Sequence, residues 1–237
     1  MTQTFTQEHR AKQEEYLATH TLPSGLGTKE SACSIAAINL AMTGTLTDKI
    51  PDCMSTLLGF ITIKLQDGMP EEMRNSERYK ALLPEMAGTG CEHEQQRLDI
   101  FMDWLWSVVL PHLQPIANQH GFGSEWETFC KLKTAAATRA VSVAAHAHAV
   151  AARASVARVV RAALAAYAVA TRAAVGRDDA ACDDVAYAVA VSAVDADHAV
   201  AVVAYAYASA DAGDFWETVD PIGVLERMTY LNVETSK

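Results

Sequence analysis

Three things are missing from this chain: cysteines at C-x-x-C spacing, an uncharged apolar run of membrane length, and helix breakers through most of its second half. The five cysteines (Cys33, Cys53, Cys91, Cys130, Cys182) are odd in number and scattered, which argues against a disulfide framework or a zinc knuckle and fits a reducing compartment. The first residues show no basic segment followed by an apolar core, so no signal peptide is expected. Arg153, Arg158, Arg161 and Arg172 interrupt one alanine-rich stretch, and Asp195 and Asp197 interrupt the next. No run therefore reaches the ~18–20 uncharged residues of a transmembrane helix. The expectation is a soluble, cytoplasmic protein with no membrane partner.

Excess positive charge is absent too. The net charge is −10, which repels phosphate backbones, so nucleic acid is not an expected partner. Glu92-His93-Glu94 lacks the second histidine of an H-E-x-x-H site, and His146 and His148, two apart, point to different sides of a helix. The stretch from Gly25 to Lys29 has neither the spacing of a phosphate loop nor a preceding strand. No metal, cofactor or catalytic set is expected from these motifs.

What is present is helical. A chain of 237 residues, half of them apolar, can bury a substantial core. Residues 7–20 are charged and helix-prone. Thr28 can cap a helix over 31–42 that Gly44 ends, and a further helix follows Asp48 and Pro51. A helix from Pro70 breaks at Asn75-Ser76 and restarts, with Pro84 and the glycines at 88 and 90 as punctuation. Residues 91–110 carry Leu98, Ile100, Phe101, Trp104, Leu105 and Val108, and Ser124 with Glu127 has the form of a capping box. Residues 1–130 read as one compact multi-helix domain.

From 131 the composition changes. Eight basic residues run from Lys131 to Arg177 without an acid, and ten acids then run from Asp178 to Asp220 without a lysine or arginine. The sign changes beside Gly176, the one glycine between Gly123 and Gly213. An antiparallel hairpin accounts for this, with a basic arm over 131–175 and an acidic arm over 178–212. Gly176 suits the left-handed cap and Asp178 the next N-cap. Alternation at 185–191 and 204–208 has a strand-like period of two, but alanine is a poor strand former and turn residues are lacking, so helix is the expectation. Asp220-Pro221 then starts a last helix over 221–231. The fold class expected is all-α: a multi-helix domain, a long alanine-rich hairpin and a short C-terminal helix.

Three blocks, ESACSIAAINLAMTGTLTDKIPDCMS (30–55), MRNSERYKALLPEMAGTG (73–90) and DWLWSVVLPHLQPIANQHGFG (103–123), precede the alanine-rich part. Together they resemble an uncharacterised family of bacterial and phage proteins sharing this N-terminal block. The resemblance covers about half the chain and implies an accessory protein of phage or mobile-element type. It supplies no catalytic residue.

Two basic clusters are candidate ligand sites. Arg74, Asn75, Arg78 and Lys80 surround a Ser/Asn helix start, where free N–H groups favour an anion; the plain alternative is a solvated helix junction. Arg139, His146, Arg153, Arg161 and Arg172 fall within an arc of about 100° on an ideal helix, with Tyr167 nearby for stacking; the alternative is that this stripe faces the acidic arm. Of these, Arg153, Arg161 and Tyr167 are the ligand-binding expectation. Cys33, near a helix start, has a buried-thiol reading beside a nucleophilic one. The function expected is a non-enzymatic, homo-oligomeric binding protein that sequesters a small nucleotide-like anion or a host protein. Two other readings stand beside it: a hydrolase or transferase using Cys33, His93 or Glu94, and an oligomeric scaffold.

Overall fold

The computed structural model describes residues 4–119, 121, 123–132 and 212–231. The regular elements among them are all helical, with one isolated bridge between Gly27 and Ala32. The arms at 131–175 and 178–212 lie almost wholly outside the described residues. Among the described residues no helix is long and apolar enough to cross a membrane.

In chain order the helices are α1 (Gln7–Thr19), α2 (Ser34–Thr43), α3 (Thr56–Gly68), the single turn α4 (Glu71–Arg74), α5 (Glu77–Met86), α6 (Glu94–Trp104), α7 (Gln114–Gln119), α8 (Gly123–Leu132), α9 (Ala212–Val219) and α10 (Pro221–Thr229). The described residues divide into two compact units, one within Met1–Leu98 and Asp220–Lys237, the other within Asp99–Val219. Helix α10 thus belongs with the N-terminal helices, packing against α3 and α5.

In the first unit α1 lies on α2 and α5, and α2 lies on α3. Its core includes Leu17, Ile35, Ile38, Leu58, Leu83 and Leu225, all buried. Helix ends follow side-chain chemistry. Thr6 and His9 exchange hydrogen bonds at the start of α1, the imidazole standing where a capping box usually has glutamate. Helix α2 starts later than Thr28 suggests, with the Cys33 thiol as its cap, and stops at Gly44 in the left-handed region. Helix α3 starts after Ser55, so Asp48 is not its cap and Pro51 lies in the preceding turn. Asn75 ends α4 and Ser76 caps α5, where the sequence places a break.

Pro84 does not stop α5, which runs on to Met86. Its missing N–H forfeits one i→i−4 bond, while Leu83 and Met86 on either side stay buried. At α10, Asp220 adopts the left-handed region (φ 44°) and accepts from the amide of Gly223. A Cβ on Gly223 would strike the Asp220 carboxylate, so a larger residue there would have to displace the capping side chain.

The second unit is built on aromatic rings. Helix α6 continues through a π-turn at Leu105–Val109. Phe129 stands 4.9 Å from Trp106 and 5.5 Å from Trp126, centroid to centroid. The indole of Trp126 donates to the Leu110 carbonyl (3.0 Å) and that of Trp104 to the Val219 carbonyl (2.6 Å). Buried indoles need such partners. Ser124 forms no capping box with Glu127; it lies inside α8 and donates to Glu125.

Candidate functional site

The residues singled out at 74–80 are brought to two places within the first unit. Arg74 donates through Nε to the Leu22 carbonyl (2.9 Å) and through Nη1 to that of Met69 (2.8 Å). The Asn75 amide accepts from the Leu22 N–H (2.7 Å) and donates to the Leu22 and Glu71 carbonyls. Lys80 Nζ donates to the carbonyls of Leu17 (2.8 Å) and His20 (2.7 Å). It caps the open end of α1, where the helix dipole favours a cation. These three side chains hold the chain leaving α1.

Arg78 points elsewhere. It donates from Nε and Nη2 to Glu226 (2.8 and 2.6 Å) and from Nη1 and Nη2 to Asp220 (2.8 and 3.3 Å). Its bonds to Glu226 first, then Asp220, hold the guanidinium more firmly protonated than usual. Arg153, Arg161 and Tyr167, with Arg139, His146 and Arg172, lie outside the described residues.

Two residues of the enzymatic reading, Cys33 and Glu94, are engaged in structure, whereas among the described residues His93 contributes only its backbone carbonyl, to the Arg97 N–H. Cys33 is buried, its thiol accepts from the Ala36 N–H, and burial pushes its pKa up, opposite to what an activated nucleophile needs. Glu94 is buried and accepts from the Leu57 N–H (3.0 Å), a free donor in the first turn of α3. Its other oxygen accepts from Arg97 (3.2 Å).

Arg97, 2 % exposed, donates further to the carbonyls of Met228 (3.1 Å), Gly90 (3.2 Å) and Thr89 (3.2 Å). Burial lowers its pKa and Glu94 opposes that. The pair fastens α3, the turn before α6, and α10. Nothing in its local sequence marks Arg97 as buried. Among the described residues no three His, Cys, Asp or Glu side chains gather as a metal would require.

A cleft opens within the same unit, with a volume of about 350 Å³. Phe5, Thr6, Gln7 and Arg10 form one side; Pro84, Glu85, Gly88 and Thr89 another; Arg97, Thr229 and Tyr230 complete it. Arg10 Nη2 is paired with Glu85 Oε1, and Arg10 Nε donates to Glu14 (2.9 Å). Those two carboxylates, Glu85 first, raise the pKa of Arg10. Arg10 Nη1 and Glu85 Oε2 have no partner among the described residues, nor does the Tyr230 hydroxyl. Tyr230 is 45 % exposed. Its phenol is pushed up by partial burial and by the charges of Glu85 and Glu226, against a smaller opposing effect of Arg10.

By contrast, the hydroxyls of Thr6, Thr89 and Thr229 serve local backbone groups. The cleft is not legible in the sequence because Arg10, Glu85 and Tyr230 come from α1, α5 and the end of α10. No sequence spacing links those three segments.

Compared with protein-family models, with curated proteins and with solved structures, the chain matches none. The functional reading therefore stands on this geometry.

Proposed function

We propose that the protein is a small-molecule binding protein, of the accessory kind implied by the resemblance to phage proteins, and that its ligand site is the cleft at residues 5–10, 84–89 and 229–230. One observation carries the reading. Arg10, Glu85 and Tyr230, each with a polar atom that has no partner among the described residues, line a single open cleft of about 350 Å³. That volume falls in the usual range of ligand pockets, ~300–1,000 Å³. Arg97, which lines the cleft, is held by four acceptors, and a lining residue fixed in advance lowers the ordering cost of binding. With Cys33 and Glu94 held in structural bonds, the reading proposed is capture without turnover.

Native mass spectrometry of protein purified at low salt tests this. Wild type is expected to carry a small-molecule adduct that is lost in Arg10→Gln. An adduct kept unchanged in that variant would place the ligand elsewhere, and a chemically altered ligand after incubation would make the protein an enzyme.

A further inference from the structure

The charges around the cleft narrow the ligand. Arg10 is flanked by two carboxylates, Glu85 and Glu14. Arg97 is matched by Glu94, and Arg78, further along α5, is matched by Asp220 and Glu226. No cation lining the cleft lacks an acid, so a multiply charged anion such as a nucleotide phosphate would meet Glu85 at close range. A simple amine would meet Arg10 in the same way. The two unengaged atoms, Arg10 Nη1 and Glu85 Oε2, belong to groups of opposite sign that are adjacent, since Arg10 and Glu85 are themselves paired.

We infer that the ligand is a zwitterion of the α-amino-acid class, an inference that rests on the cleft being the ligand site. Its carboxylate accepts from Arg10 Nη1, and its ammonium donates to Glu85 Oε2. These are charge-assisted bonds on neighbouring atoms of one ligand. The ligand then extends the Arg10–Glu85 pair into a closed ring of alternating charge instead of breaking it. Tyr230 and Phe5, both lining the cleft, supply apolar and cation–π surface for the side chain and the ammonium. The phenol hydroxyl is a further donor or acceptor.

Isothermal titration of the full-length protein tests this with four probes: a panel of free amino acids, adenosine monophosphate, inorganic phosphate and putrescine. Saturable binding is expected for at least one amino acid and for none of the other three. Glu85→Gln preserves a neutral contact to Arg10 while removing the ammonium partner, and Arg10→Gln removes the carboxylate partner. Each should weaken amino-acid binding at least tenfold, with circular dichroism confirming the fold. Tyr230→Phe, which leaves both charges in place, should weaken it less. Binding of the nucleotide, phosphate or putrescine at this cleft, with no amino acid bound, would overturn the ligand class and leave the site standing. No binding by any probe, amino acids included, together with no adduct on the native protein, would overturn the site as well.

Discussion

The two units bury their interiors by different chemistry. The second relies on rings: Trp106, Trp126 and Phe129 interlock, and the indoles of Trp104 and Trp126 hand their N–H groups to backbone carbonyls. The first has smaller side chains at its centre and is fastened by polar side chains reaching backbone groups far away in sequence. Arg97 reaches Met228, Arg74 and Asn75 reach Leu22, and Gln66 reaches Pro23. A buried trio, Ser34, Gln66 and Tyr79, adds to this stitching. Aromatic packing tolerates imperfect neighbours. A buried charge or amide does not, because each lost partner leaves a group without solvent. The polar unit is also the one that carries the cleft.

The largest expected effect comes from breaking the buried ion pair. Arg97→Met strands the Glu94 carboxylate and should cost about 3–5 kcal/mol in denaturant unfolding. Adding Glu94→Gln, which removes the charge and keeps an acceptor for Leu57, should recover a large part of that loss. A double variant as unstable as the single would show that packing rather than charge is at stake.

In the aromatic unit, Trp126→Phe keeps a ring and removes the buried indole bond to the Leu110 carbonyl. The expected loss is smaller, about 1–3 kcal/mol.

Alkali should reach the first unit through Tyr79. Burial raises this phenol above its usual value against the lowering effect of its bond to Ser34. The folded state therefore holds its proton where the unfolded chain has released it. Stability from this group is complete below the unfolded phenol value of ~10 and declines as pH rises above it. Thermal melts across that range should fall in wild type and flatten in Tyr79→Phe.

The smallest effect is a gain. Gln13 is fully buried in α1 and neither amide atom has a hydrogen-bond partner among the described residues. Gln13→Met should therefore stabilise by about 1 kcal/mol, within the cost of an unsatisfied buried polar group.

The helical class was legible from the apolar spacing of the first half, and several helix ends were legible from single residues: Gly44, Asn75-Ser76 and Asp220-Pro221. Pro84 misled as a terminator because proline costs one i→i−4 bond without forbidding the helical φ, and the buried Leu83 and Met86 carry the helix past it. Ser124 and Glu127 have the capping-box spacing, yet their helix starts one residue earlier. The cations at 74–80 were noticed for their density, but what each one does depends on which distant carbonyl or carboxylate the fold delivers. Leu22, Leu17 and Glu226 are invisible to any local window. The same holds for the cleft, whose Arg10 and Glu85 lie 75 residues apart.

The most direct test of the account is a ¹H–¹⁵N correlation spectrum of the labelled protein, recorded with and without a mixture of free amino acids. Saturable shifts are expected, concentrated at residues 5–10, 85–90 and 229–231 and absent in Glu85→Gln. Shifts centred instead on residues 74–80, or no saturable shifts at all, would contradict it.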